Sequence, residues 1–250
     1  MSLHKVILIT GASRGIGAAT AVMAARQGYR VCINYHSDEQ AAQHTLRLVR
    51  EAGADAIAVR ADVSVEDEVV QLFKRVDEEL GPLTALVNNA ASNSHRSRLQ
   101  DMSEFRLLSI MQSNVVGPML CAKHAIARMS TEMGALGGAI VNVSSIAARL
   151  GAPNEYIDYA ASKGAIDTLT IGLASEVAAQ GIRVNAVRPG LIHTDFHALS
   201  GDPFRVSKLE KFVPLGRGGQ PEEIAAGILW LLSDQASYVT GTLLDIGGGR

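Results

Sequence analysis

The chain has 250 residues, 47% of them hydrophobic and 19% charged, with a net charge of −2 and only 4% aromatic side chains. That is enough apolar material for a large α/β core. The near-neutral charge argues against a nucleic-acid or membrane-surface partner, and the few aromatics argue against base-stacking platforms.

In chain order, Val6 to Ile9 reads as a buried strand, followed by a Gly-rich turn and an Ala-rich helix over about 16–27. Val31 to Ile33 is a second strand. Ser37 to Gln40 fits a capping box that opens a helix to about Ala52. Ala56 to Val59 is a third strand, Glu66 to Leu80 a helix, and Ala85 to Val87 a fourth strand. Two helices follow, near 101–112 and 114–130. Ala139 to Val143 is a fifth strand, 158–179 a long helix, and Arg183 to Val187 a sixth strand. Pro221-Glu-Glu opens a last helix with acids in its first turn, and Leu243 to Ile246 closes as a seventh strand. Non-alternating apolar strands between helices predict a parallel sheet covered on both faces. The expected fold is therefore α/β: one Rossmann-type, doubly wound, seven-stranded domain over residues 1–250. The irregular stretch at about 189–220 is long enough to be a substrate lid.

Cys32 and Cys121 lie in apolar stretches and read as reduced core residues. The start shows no signal-peptide pattern, and no apolar run reaches the length of a membrane span. The expectation is a cytoplasmic protein.

Thr10-Gly-Ala-Ser-Arg-Gly-Ile-Gly17 follows a strand and opens a helix. Glycines at 11, 15 and 17 permit a tight turn and a close phosphate approach, and the helix start adds N–H groups and a positive dipole end. Dinucleotide binding is the expectation. The same residues also match Gly11-x-Ser13-x-Gly15, a hydrolase nucleophile elbow, for which Asp195 and His197 would complete a triad. Few residues precede the turn to build an oxyanion hole, and Gly17 has no role in that reading.

Tyr156 and Tyr159 lie close together in Glu155-Tyr-Ile-Asp-Tyr-Ala-Ala-Ser-Lys163. Tyr159 and Lys163 are four apart, hence on one helical face. An ammonium there is expected to lower the phenol's pKa from about 10 and make it an acid–base group. Tyr156, near the helix start, reads as packing.

Taken together, Thr10-Gly-x-x-x-Gly-Ile-Gly17, Asp62-Val63, Asn88-Asn-Ala90, Asn114, Ser144-Ser145, Tyr159-x-x-x-Lys163 and Pro189-Gly-x-x-x-Thr194 resemble the classical short-chain dehydrogenases/reductases over essentially the whole chain. The pattern is nearest to glucose-dehydrogenase-like and ketoacyl-reductase-like members. The resemblance implies an NAD(P)-dependent carbonyl–alcohol oxidoreductase. Tyr159 would move the substrate proton, Ser145 would bond the substrate oxygen, Lys163 would hold the nicotinamide ribose, and Asn114 would hold a relay water. Gly11, Ser13, Arg14, Gly15, Ile16 and Gly17 would cradle the phosphates. Asn34, Tyr35, His36, Ser37, Asp62 and Val63 would surround adenosine, together with Asn89, Ala90 and Ala91. Pro189, Gly190, Ile192 and Thr194 would meet the nicotinamide side. The resemblance also implies a homotetramer, with a dimer as the smaller possibility, through helices near 101–130 and 158–179. Two departures stand out: Ala91 replaces a usual glycine, and the Ser145–Tyr159 gap is one residue longer than usual.

Strand two ends Ile33-Asn34-Tyr35-His36-Ser37 without an acid, and Asp38 falls later, inside the helix start. An acid there would bond the ribose hydroxyls of NAD and repel a 2′-phosphate. Arg14 offers planar donors suited to phosphate. NADP(H) is the expected preference, with NAD(H) possible. His193 and His197 are spaced as a metal pair but have no third ligand nearby, so no metal is expected. His95-Arg-Ser-Arg98 reads as a solvated basic loop. The substrate itself is not legible.

Overall fold

The computed structural model describes residues 5–196 and 201–250. Seven strands form one parallel sheet: β1 (Lys5–Ile9), β2 (Tyr29–Tyr35), β3 (Ala56–Arg60), β4 (Ala85–Asn88), β5 (Gly138–Val143), β6 (Ile182–Pro189) and β7 (Leu243–Ile246). Their spatial order is β3-β2-β1-β4-β5-β6-β7. The chain winds outward from β1 to β3, then returns to place β4 on the other side of β1. This reversal opens a crevice at the carboxyl ends of β1 and β4, where α/β sheets bind ligands.

The helices are α1 (Gly15–Arg26), α2 (Glu39–Glu51), α3 (Glu66–Glu79), α4 (Glu104–Met111), α5 (Gly117–Met129), α6 (Ala147–Leu150), α7 (Ile157–Val177), α8 (Arg205–Leu209) and α9 (Pro221–Leu232). Successive residues of β1 serve opposite faces of the sheet. Ile7 and Ile9 pack with Ala21 and Ala24 of α1, Val49 of α2 and Ile224 and Ile228 of α9. Val6 and Leu8 pack with Leu72 and Phe73 of α3, Ala125 and Met129 of α5 and Ala174 of α7. With both faces covered, the strands need no polar alternation. Cys32 and Cys121 are free, buried and in the second of these clusters, where burial pushes the Cys121 thiol up to about 12.

Phe73 is fully buried, and the Arg128 guanidinium lies 5.0 Å from its ring centroid. Phe73→Ala is expected to lower unfolding stability by about 3–5 kcal/mol. A urea melt would show this as a lower midpoint with little change in slope.

Several boundaries differ from the sequence reading. β2 runs two residues past Ile33 because Asn34 and Tyr35 pair with Val59 and Arg60 of β3. Ser37 therefore does not cap α2. Asp38 does, its Oδ1 accepting from the Ala41 N–H at 2.9 Å. The break expected between α4 and α5 is a π-helical turn, Gln112–Val116, so the helical path is continuous. The 189–220 stretch contains α8, and Ile192 bridges to Gly219.

Candidate active site

A cavity of about 1100 Å³ opens at the carboxyl ends of the strands. Every residue named above for the cofactor or the chemistry lines it, except Gly17 and Asn114. Those two act from behind the wall.

The turn after β1 has the shape of a phosphate cradle. Gly11 and Gly15 adopt φ of +59° and +57°, in the left-handed region that favours glycine. A Cβ on Gly11 would lie 2.8 Å from the Ala90 Cα, and one on Gly17 would lie 2.6 Å from the Asn89 Nδ2. Arg14, the N-cap of α1, provides no side-chain cap. The first-turn N–H groups are thus left to a ligand at the positive end of the helix. Bare glycines with uncapped donors fit a dinucleotide pyrophosphate.

Two asparagines brace this turn. Asn34 Oδ1 accepts from the Gly11 N–H at 3.3 Å, and its Nδ2 donates to the Ala61 carbonyl at 3.0 Å. Asn89 Nδ2 donates to the Thr10 and Gly11 carbonyls, both at 2.9 Å. Their amides hold backbone, so any contact with a cofactor would come through their main chain. At the adenosine end, Asp62 Oδ1 accepts from the Ser64 N–H and hydroxyl at 2.9 and 2.7 Å. His36 Nε2 lies 3.6 Å from Asp62 Oδ2. An acid does stand in this pocket, contrary to the sequence reading. Asp38 lines the cavity, and its Oδ2 pairs with Arg14 Nη2 at 2.6 Å.

Deeper in the cavity, Ser145 and Tyr159 line the same wall, and the Ser145 hydroxyl accepts from the Ala147 N–H at 3.1 Å. Ser144 turns the other way: its hydroxyl bonds Asp167 Oδ1 at 2.7 Å and lies 3.1 Å from the Lys163 carbonyl. Asp167 is held in turn by Arg188, through Nε at 3.0 Å and Nη2 at 2.7 Å. Lys163 is 3% exposed, lies 5.6 Å from the Tyr159 ring centroid, and donates to the Val143 carbonyl at 2.7 Å. The expected lowering of the phenol pKa is absent. Burial pushes Tyr159 up to about 12, with the nearby Ser145 hydroxyl opposing it, and brings Lys163 down to about 8, with Asp167 opposing. The ammonium points at a backbone carbonyl, and desolvation prevails over its pull on the phenol.

Asn114 sits fully buried in the π-helical turn, a feature frequent at functional sites. Its Nδ2 donates to the Ser92 carbonyl at 2.9 Å and to Ser162 Oγ at 3.1 Å, and its Oδ1 accepts from the Ser92 N–H at 2.7 Å. The Ser162 hydroxyl donates to the Tyr159 carbonyl at 2.7 Å. This chain fixes the helical turn that carries the phenol.

A family model described as enoyl-(acyl carrier protein) reductase matches residues 11–250. The chain is 51% identical to the uncharacterized oxidoreductase YgfF of Escherichia coli, covering 98% of this chain and 99% of that one. It is 39% identical to 3beta-hydroxysteroid dehydrogenase 1 of Eggerthella lenta, over 98% and 93% of the two chains. The crystal structure of a short-chain dehydrogenase/reductase from Mycobacterium marinum superposes with a TM-score of 0.91 at 34% identity, covering 98% of this chain and 94% of that one. The chain belongs to the short-chain dehydrogenase/reductase family.

As a member it is a nicotinamide-dependent oxidoreductase acting on CH–OH groups, which removes the hydrolase alternative for Ser13 and Asp195. His197, needed for both that triad and the histidine pair, lies outside the described residues. The longer Ser145–Tyr159 gap spans α6 and the loop after it. Gly151, Ala152 and Asn154 there have φ of 72°, 44° and 60°.

That loop leads to wall residues that sequence reasoning missed. Tyr156, Glu155, Arg205 and Arg250 line the cavity. Arg96 is no idle charge either: its Nη2 bonds Glu155 Oε1 at 2.7 Å. Only the Tyr-x-x-Tyr spacing hinted at Tyr156. No local signal marked Arg205, which reaches Glu155 from 50 residues away.

Proposed function

We propose that this protein interconverts a carbonyl and an alcohol, with Tyr159 as the proton donor or acceptor and NADP(H) as the preferred cofactor. Ser145 and Tyr159 lining one cavity, with Lys163 one helical turn on, carry this reading. A protein that only bound a dinucleotide would need no such pair. The nicotinamide, when bound, supplies or accepts the hydride. Ser145 holds the substrate oxygen against the phenol, and Tyr159 transfers the proton at that oxygen. Lys163 would hold the nicotinamide ribose. The Asn114 amide is fully engaged, so a relay water would rest on its main-chain carbonyl. Phe196 stands against the Tyr159 ring at 5.7 Å between centroids, and the 189–220 segment acts as the lid that limits water at the reacting carbon. Screening carbonyls and alcohols by nicotinamide absorbance tests the reading, and inactivity across a chemically broad panel with a cofactor that demonstrably binds would defeat it.

The same reading has residues 1–250 forming a single domain that works in the cytoplasm as a homotetramer. No described helix is long and apolar enough to cross a membrane. Leu108 and Met111 of α4, Met119 of α5 and Ile171 of α7 are exposed apolar residues, and β7 forms a sheet edge. Such surfaces suit closed two-fold assembly. Light scattering at micromolar concentration is expected to give four times the chain mass of 26.4 kDa. A monomer would refute the assembly.

A further inference from the structure

Tyr156 is 4% exposed and lines the cavity, yet its phenol oxygen is buried with no hydrogen-bond partner. A buried tyrosine hydroxyl ordinarily finds a partner, and an orphan in a cavity wall calls for an explanation. The ring is not loose. The Arg205 guanidinium covers its face at 5.1 Å from the centroid. Arg205 Nη2 is anchored 2.5 Å from Glu155 Oε2, and Arg96 takes the other carboxylate oxygen at 2.7 Å. The Ser97 N–H donates to the Glu155 carbonyl at 3.0 Å. The residue preceding Tyr156 is therefore clamped from two sides, and the phenol is presented by a rigid frame.

The charges acting on this phenol are two of each sign: Arg205 and Arg96 against Glu155 and Asp202. Asp202 is itself paired with Lys208 at 2.7 Å. Arg205 and Arg96 are already paired with Glu155, so a carboxylate brought here would have to compete with that pair, whereas a neutral acceptor needs only the O–H. The wall of the same cavity includes apolar Phe105, Leu108, Leu150, Pro153 and Leu191. Tyr156 is the N-cap residue of α7, three positions before Tyr159 in its first turn.

We infer that Tyr156 donates a hydrogen bond to a second, neutral oxygen of the substrate, a carbonyl or hydroxyl, while the first oxygen reacts at Ser145 and Tyr159. The substrate class is then an apolar, ring-sized ketone or secondary alcohol carrying another neutral oxygen. This rests on the carbonyl–alcohol reading above.

The test compares 2-decalone with decalins that carry a second ketone, a hydroxyl or a carboxylate on the far ring, using the wild type and Tyr156→Phe. The wild type is expected to favour the keto and hydroxy compounds over plain decalone by about tenfold in kcat/KM, as one hydrogen bond to a neutral group allows. Tyr156→Phe is expected to erase that preference through KM, bringing the keto and hydroxy compounds to the level of plain decalone. An equal preference in both proteins, no preference in the wild type, or a preference for the carboxylate would each overturn the inference while leaving the reaction intact. If the wild type reduces none of these ketones, the inference falls, and the broad carbonyl–alcohol panel above decides separately whether the reaction reading falls with it.

Discussion

Replacing Tyr159 with phenylalanine is expected to lower kcat by a factor of about 10²–10⁴, the usual contribution of a positioned acid–base group. Cofactor affinity, read by fluorescence titration, should stay nearly constant. Only the proton carrier is lost, while the ring keeps its packing against Phe196. Tyr156→Phe should leave kcat nearly untouched, and a Tyr156→Phe variant as crippled as the Tyr159 variant would overturn the assignment. The two groups also set a pH dependence. With its pKa pushed up to about 12, the Tyr159 phenol holds its proton through the neutral range and is ready to donate in carbonyl reduction. Lys163, brought down to about 8 by burial, is an ammonium below that pH and neutral above it. The kcat/KM for the cofactor, which reports on the unliganded protein, is therefore expected to be level below about pH 8 and to fall above it. A profile flat up to pH 10 would show that Lys163 keeps its proton, or that its charge is not needed.

The parts of this molecule that were legible in the sequence are those written in local patterns. Apolar strands such as Val6 to Ile9 and the glycines of the first turn carry their physics within a few residues. What the sequence hid depends on pairing across the fold. β2 is longer than its apolar run because β3 supplies partners for Asn34 and Tyr35. Asp38 caps α2 because the strand extends that far. The direction of the phenol shift could not be read from Tyr-x-x-x-Lys spacing, since spacing says nothing of desolvation or of the Val143 carbonyl that captures the ammonium. Glu155, Arg96 and Arg205 look like unrelated surface charges in the sequence. Only the strained loop after α6 and the position of α8 bring them around Tyr156.

The proposed NADP(H) preference rests on Arg14, and the Arg14–Asp38 pair makes the expected outcome sharper than the sequence alone allowed. Asp38 is the acid that could bond a ribose hydroxyl and repel a 2′-phosphate. One of its oxygens is spent on the Ala41 N–H and the other on Arg14. Both side chains of the pair are 36% exposed, so the contact can open to a competing anion. On that proposal Arg14 would do two things for NADP(H): mask Asp38, and offer planar donors to the phosphate. Arg14→Ala is expected to lower kcat/KM with NADPH by about 10–100-fold, the range for a charge-assisted hydrogen bond of about 1.5–3 kcal/mol. The value with NADH should hold or rise, because the uncovered Asp38 can then accept from the ribose. Adding Asp38→Ser in the Arg14→Ala background keeps a capping hydroxyl for α2 and removes the repulsion, so part of the NADPH loss should return. Steady-state kinetics with both cofactors on the three proteins decides the matter. A wild type with higher kcat/KM on NADH, or an Arg14→Ala variant that loses nothing with NADPH, would refute the assignment of Arg14.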